Sequence, residues 1–170
     1  MSRLVLVLGG ARSGKSGFAE RLVEAEPAPW AYLATAEALD DEMADRIARH
    51  RAARPGGWHT IDAPLSLARA LDDLPPEQPA LVDCLTLWLT NHLLAEHDLD
   101  AEAAALEAAL ARRRGLTACV ANEVGLGIVP DNALARRFRD AAGRLNQRVA
   151  AHAGQVVFMV AGLPMQVKGG

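Results

Sequence analysis

Eight consecutive residues, Gly9-Gly10-Ala11-Arg12-Ser13-Gly14-Lys15-Ser16, have the types and spacing to do chemistry as a unit. The pattern is G-x-x-x-x-G-K-[ST]. In it the backbone N–H groups of a glycine-rich turn cradle phosphate, a lysine reaches the β- and γ-phosphates, and a hydroxyl is offered to Mg²⁺. A chance match in a chain of this length has odds of roughly one in a hundred or less. Composition sharpens the point, because the 18 basic residues comprise sixteen arginines and two lysines, one of them Lys15. A compact ammonium on a flexible stem can enter between phosphates where a broad guanidinium fork does not fit.

Neighbouring residues position this turn. Leu4-Val5-Leu6-Val7-Leu8 is a short apolar run bounded by glycine, which reads as a buried strand. Beyond Ser16, Phe18 and Leu22 fall at helical spacing. Strand, glycine-rich turn and helix together aim N–H groups and a positive helix end at an anion, as in P-loop nucleotide enzymes.

Two further residues could act with it. Asp83 closes the apolar run Pro79-Ala80-Leu81-Val82-Asp83, and an acid there reads equally as a Mg²⁺ partner or base and as the cap of a following helix. Glu123 stands in the same position after the next strand. In the segment Asp40 to Arg51, Met43, Ile47 and His50 recur at i, i+4 and i+7, which predicts that His50 lies on an inward-facing stripe. His50 is then either directed across a nucleotide cleft or simply favoured near a helix C-terminus by the dipole. Arg49, Arg51 and Arg54 around it suit phosphate and a solvated helix end alike. His59, His92, His97 and His152 show no metal-ligand spacing and read as structural or surface residues.

The elements alternate from end to end, which predicts an α/β, P-loop NTPase-like fold: a mainly parallel sheet with helices on both faces, in a single domain. Expected strands are 3–8, 30–35, 79–84, 116–122 and 155–161, and expected helices 15–26, 40–52, 64–73, 86–97, 100–113 and 131–152. Asp40 and Asp100 are the expected N-caps and Gly154 the expected C-cap of the last helix. In that helix Leu134, Phe138, Ala141, Leu145 and Val149 form one apolar stripe. Pro55-Gly56-Gly57 and Pro75-Pro76 read as surface loops, and the tail after Gly162 as short and partly mobile. Ligands in such sheets gather at the carboxyl ends of the strands.

At 170 residues the chain fits one domain with a substantial core. A formal net charge of −3 gives no broad footprint for nucleic acid. No stretch reaches the roughly 20 apolar residues of a membrane helix, and no signal peptide precedes the first strand. Cys84 and Cys119 sit in apolar surroundings and read as buried free thiols of a reducing cytoplasm, a disulfide between neighbouring strands being the lesser alternative.

Taken together, the motifs resemble the bifunctional adenosylcobinamide kinase/adenosylcobinamide-phosphate guanylyltransferase family of cobalamin biosynthesis. The resemblance rests on Gly9 to Ser16, on Leu39-Asp-Asp-Glu-Met43 with Arg46, Ile47 and His50, on Arg54-Pro55 with Trp58, and on Asp83-Cys-Leu-Thr86 with Thr90-Asn91. It is most specific in Asn122-Glu-Val-Gly-Leu-Gly-Ile-Val-Pro130, followed by Arg136, Phe138-Arg139-Asp140, Gly143-Arg144 and Asn146-Gln147. It implies phosphorylation of adenosylcobinamide by ATP or GTP, then transfer of GMP from GTP through a guanylylated histidine, giving adenosylcobinamide-GDP and pyrophosphate. The residues it implies are His50 as the carrier with Lys15 as the second catalytic group. The nucleotide would be held by Gly9, Gly10, Ala11, Arg12, Ser13, Gly14, Lys15, Ser16, Ala34, Thr35, Ala36, Arg51, Ala52, Ala53, Arg54, Asp62 and Asp83. Mg²⁺ falls to Ser16 and Asp83. The family assembles as a homotrimer. Two departures stand out: glutamate is frequent in the family where Asp62 and Asp83 stand, and Arg49 replaces a second histidine. The alternative reading is a P-loop small-molecule or nucleotide kinase with no guanylyl step.

Overall fold

The structure is a computed structural model that describes residues 2–37, 41–52 and 54–169. In chain order the elements are β1 (Leu4–Gly9), α1 (Lys15–Glu24), β2 (Trp30–Ala34), α2 (Asp41–Ala52), β3 (Trp58–Asp62), α3 (Leu67–Asp72), β4 (Ala80–Asp83), α4 (Leu85–Leu94), α5 (Leu99–Arg112), β5 (Thr117–Asn122), α6 (Ala133–His152), β6 (Gln155–Val160) and β7 (Leu163–Lys168). The seven strands form one sheet in the order β3-β2-β4-β5-β1-β6-β7. All pairings are parallel except β6 with β7.

Why the central strands read as unbroken apolar runs follows from their place. β1, β2, β4 and β5 are covered on both faces, so both sets of alternating side chains are buried. One face packs Leu4, Leu6, Leu33, Val82 and Cys119 under Leu67 and Leu71 of α3, Trp88 of α4, Leu106 of α5 and Leu145 and Val149 of α6. The opposite face packs Val5, Val7, Tyr32, Leu81 and Val120 under Ala19 and Val23 of α1, with Trp30 and Trp58 at its margin.

Several expectations are corrected. β3 was not foreseen; it pairs beside β2 along the sheet edge, from Trp30↔Trp58 to Ala34↔Asp62. The tail after Gly162 is not a loose end but β7, an antiparallel edge strand on β6. The N-cap of α5 is Asp98, whose Oδ1 accepts the N–H groups of Asp100 and Ala101, so Asp100 sits in the first turn. Helix α6 is capped by the Asn132 side chain and ends at Ala153, whose φ of −68° is not left-handed. Gly154 serves another purpose: its N–H donates to the Leu4 carbonyl, and a Cβ there would lie 2.1 Å from the Ser2 oxygen. Leu134 leaves the apolar stripe of α6 and is 53% exposed. Asp40, the other expected cap, lies outside the described residues. Both cysteines are free thiols; Cys119 is buried in β5, whereas Cys84 is half-buried between β4 and α4.

Candidate active site

The glycine-rich turn leaves β1 between β5 and β6. Close packing explains its first glycine: a Cβ on Gly9 would sit 2.6 Å from Ser13 Oγ and 2.8 Å from the Met159 carbonyl oxygen. Arg12 and Gly14 both take positive φ, 54° and 91°. That curls the chain so that Gly14 stands at the N-terminus of α1 and the following N–H groups face the anion position. The Ser13 carbonyl accepts the Gly162 N–H at 3.0 Å, so the β6–β7 turn braces the loop.

Lys15 is buried and donates from Nζ to the Gly10 carbonyl at 2.5 Å, folding across the loop it belongs to. Burial lowers its pKa, while Cys84 and Asp83 nearby pull it back up. A triphosphate placed in the loop supplies the negative charge that a buried ammonium lacks. Ser16 is the second residue of α1 and half-buried. Gly10, Ala11 and Arg12 are exposed on the outer side of the turn.

The second half of the site is a row of strand ends. Ala34 is in register with Asp62 on one side and Asp83 on the other, which sets both carboxylates at one level on the α1 face of the sheet. Thr35 is buried and its hydroxyl lies 2.5 Å from the Asp83 carbonyl oxygen and 2.9 Å from that of Cys84, clamping the end of β2 to the end of β4. Ala36 follows, half-buried. Cys84 adopts φ 78°, ψ 90°; strain of this kind in a non-glycine residue beside an acid is a mark of functional sites. Burial pushes its thiol pKa up.

Tyr32, which no sequence motif picked out, ties the two halves together. Its hydroxyl donates to Asp83 Oδ2 at 2.5 Å. The Arg54 guanidinium stacks over its ring, 3.3 Å from the centroid, and Trp58 meets it edge-on. Burial, then the neighbouring Asp83 charge, drive the phenol pKa far upward, so it remains a donor. Arg54 also donates from Nη1 to Thr60 Oγ1 at 2.8 Å, yet its Nε is buried with no acceptor among the described residues. A buried donor without a partner costs on the order of 1–3 kcal/mol, which a nucleotide oxygen could recover. The tyrosine was hidden because an aromatic in an apolar strand reads as core; its burial shows that it is core as well.

Of the remaining sequence candidates, His50, Arg51 and Ala52 fall within α2, immediately before Arg54; Ala52 is exposed. The side chains of His50 and Arg51 are not among the described ones, and Ala53 lies outside the described residues. So do Met43 and Arg46 as side chains, while Ile47 is half-buried. Glu123 follows the end of β5 and accepts the N–H of Gly125 through Oε1, a local turn. Asn91 of α4 donates to the Thr35 and Pro64 carbonyls, both at 2.9 Å, holding the edge of the site from behind.

A phosphate loop, a row of strand-end acids and a helix ending in basic residues describe many nucleotide enzymes, and comparison with known proteins separates them. The model of one family, "Cobinamide kinase / cobinamide phosphate guanyltransferase", matches residues 5–167. The chain belongs to that family. It is 50% identical over 167 residues to "Bifunctional adenosylcobalamin biosynthesis protein CobP" of Pseudomonas aeruginosa, covering 96% of each chain. It is 42% identical over 181 residues to "Bifunctional adenosylcobalamin biosynthesis protein CobU" of Salmonella typhimurium, covering 97% of this chain and 99% of the other. Among solved structures, one from Pyrococcus horikoshii superposes with a TM-score of 0.52 at 11% identity, covering 98% of this chain and 86% of that one. At that identity the likeness concerns the fold alone. In this family member Lys15, Asp83, Tyr32 and Arg54 stand in one row at the strand ends, Tyr32 bonded to Asp83 and stacked under Arg54.

Proposed function

We propose that this member of the family carries out both transfers in a single catalytic domain. It phosphorylates adenosylcobinamide from ATP or GTP, then guanylylates adenosylcobinamide phosphate from GTP, in the assembly of the nucleotide loop of cobalamin. The full-length family match is the observation that carries the reading, and it favours two steps over a P-loop kinase with no guanylyl step. The loop Gly9 to Ser16 holds the triphosphate. Lys15 neutralises charge developing on the transferred group and on its leaving oxygens, which is most of what phosphoryl transfer asks of a protein. In the second step an imidazole nitrogen of His50 attacks the α-phosphorus of GTP and pyrophosphate leaves. A phosphate oxygen of the acceptor then displaces the imidazole, giving adenosylcobinamide-GDP.

Ser16 and Asp83 would hold Mg²⁺. A hydroxyl and a carboxylate oxygen are the hard donors this ion takes, and Tyr32 occupies only Oδ2 of Asp83. Bound there, Mg²⁺ would supply charge neutralisation at the phosphates. Ala34, Thr35, Ala36, Arg51, Ala52, Ala53, Arg54 and Asp62 complete the nucleotide contacts, with the unpartnered Arg54 Nε as the donor in waiting. We assign the enzyme to the cytoplasm, in keeping with its two free thiols. We further infer a homotrimer without nucleic-acid partners. No helix of the described residues is long and apolar enough to cross a membrane.

The experiment is mass spectrometry of the intact protein after incubation with GTP and Mg²⁺. One GMP per chain is expected, acid-labile and base-stable as a phosphorus–nitrogen bond should be, and discharged by adenosylcobinamide phosphate. His50→Ala should abolish the adduct and retain at least part of the kinase activity. An adduct that persists in His50→Ala would move the nucleophile elsewhere.

A further inference from the structure

Away from the nucleotide edge, the corner between α4 and α5 brings three metal-ligating side chains together. His92, His97 and Glu102 each offer a donor atom, and these lie within 4.8 Å of one another. His92 is 2% exposed at the end of α4. Its Nε2 lies 3.1 Å from the Leu65 carbonyl oxygen, and because a carbonyl only accepts, Nε2 carries the proton and Nδ1 the lone pair. That lone pair faces His97 Nδ1 at 2.9 Å. A second imidazole therefore converges on the one free lone pair of a buried histidine.

We propose that His92, His97 and Glu102 form a binding site for a divalent cation of the Zn²⁺ type, ligated by the two Nδ1 atoms and a Glu102 carboxylate oxygen, with water as the fourth ligand. Two imidazoles, a carboxylate and a water are a set that Zn²⁺ accepts in tetrahedral geometry. Metal–nitrogen bonds of about 2.0–2.1 Å at tetrahedral angles put the nitrogens about 3.3 Å apart. The pair must therefore open by only a few tenths of an ångström, and His97 is an exposed side chain able to do so. Glu102 Oε2 is 4.0 Å from His92 Nε2, the protonated nitrogen, so this 38% exposed side chain must rotate toward Nδ1 to ligate the ion.

The surroundings are those of a metal-bound histidine, whose other ring N–H is characteristically given to a backbone carbonyl that fixes its tautomer and orientation. Leu65 supplies that carbonyl, and it also accepts the Trp88 indole N–H at 3.2 Å. Without metal the close nitrogens need a proton between them, which His97 Nδ1 provides. On binding, that proton moves to His97 Nε2, so the ion enters with no net change of protonation in the pair. His97 is reached from solvent beside a surface cavity of about 240 Å³ that it lines with Asp98, Asp100 and the arginines Arg137, Arg144 and Arg148 of α6. Seated between His92 and His97, the ion would pin the α4–α5 corner to Leu65, next to Pro64, whose carbonyl accepts from Asn91. Its role is to brace the site rather than to act on substrate.

Full-length protein without a polyhistidine tag, stripped by chelator and held in saturating Mg²⁺ to occupy the nucleotide site, is titrated with Co²⁺ and with Zn²⁺. Expected are one ion per chain, intense visible bands of four-coordinate Co²⁺ that Zn²⁺ abolishes, and a melting temperature raised by about 5–10 °C at a hundredfold excess over Kd. His97→Ala and Glu102→Gln alter exposed or half-exposed side chains. Glu102→Gln should leave the metal-free melting temperature unchanged, whereas His97→Ala, which removes the hydrogen bond to the buried His92 Nδ1, should lower it by a few degrees. Zn²⁺ binding should weaken by at least about 100-fold in His97→Ala and about 10-fold in Glu102→Gln. Undiminished binding in His97→Ala, or a weak six-coordinate Co²⁺ spectrum, would overturn the proposal and leave the pair as a hydrogen-bonded helix terminus.

Discussion

Lys15 shows what burial of a single charge contributes. Its pKa is lowered because burial penalises the ammonium in the nucleotide-free protein, whereas a bound triphosphate favours the charged form. As pH rises toward that lowered value the free enzyme loses the proton, and binding must then take one up. Nucleotide affinity should therefore fall on the alkaline side, below the ordinary lysine range near 10.4. Titration of ATP binding between about pH 7 and pH 10 checks this; a flat profile would show the ammonium to be indifferent to nucleotide. Lys15→Ala should cost about 10²-fold or more in the kinase step, and Lys15→Arg should not restore it.

Tyr32 is a residue with two separable parts. Tyr32→Phe keeps the ring beneath Arg54 and removes the hydroxyl that bonds Asp83 Oδ2. A fall of about tenfold in kcat is expected, with a stability loss of about 1–2 kcal/mol. Tyr32→Leu also removes the stacking surface, so it should raise the KM for nucleotide through Arg54. Equal effects of the two variants on both constants would reduce the tyrosine to a packing role.

At the level of elements, what was legible in the sequence was local. The run Leu4 to Leu8 with its glycine turn, and the strand ending in Asp83, declare themselves by composition alone. β3 was missed because Trp58-His59-Thr60-Ile61-Asp62 occupies the sheet edge, where His59 and Asp62 are exposed, the other three are only half-buried and no apolar run forms. β7 escaped because Pro164 and flanking glycines read as a tail, yet proline is admissible on an edge strand. The carboxylate row shows in the strand register and not in the spacing of 21 residues between Asp62 and Asp83. His92 and His97 are five apart, on no common helix face; Glu96 at φ 56° turns the chain so that they meet. Gly154 is a prediction at this scale. Its role is close approach, so Gly154→Ala drives a methyl into the Ser2 carbonyl at 2.1 Å. A destabilisation of about 1–3 kcal/mol is expected by urea denaturation, where a C-cap glycine in the left-handed region would have lost stability through φ instead.

For the whole molecule the telling surface is the segment between β5 and α6, which carries the tract most specific to the family. Leu126, Ile128 and Val129 are 81%, 98% and 61% exposed, and Leu134 beyond them is 53% exposed. Four large apolar side chains so close together are unusual on a lone protomer. If the chain assembles as the homotrimer proposed above, a neighbouring copy of the same chain is the proposed occupant of this patch. Burial of each such side chain is worth about 1.5–3 kcal/mol, so the three from 126 to 129 could supply several kcal/mol at every interface. Ile128→Asp replaces that gain with a desolvated carboxylate and should return the protein to a monomer of 18.1 kDa in sedimentation velocity at micromolar concentration. Ile128 projects into solvent in the protomer, so the variant should still fold cooperatively, melting below the assembled protein because the interface no longer contributes. If the neighbour completes the cleft, guanylyl transfer should fall with trimer content along a dilution series of the unmutated protein too. A trimer that survives Ile128→Asp would place the interface on another face, such as the open edge of β7, where Leu163, Met165 and Val167 stand exposed.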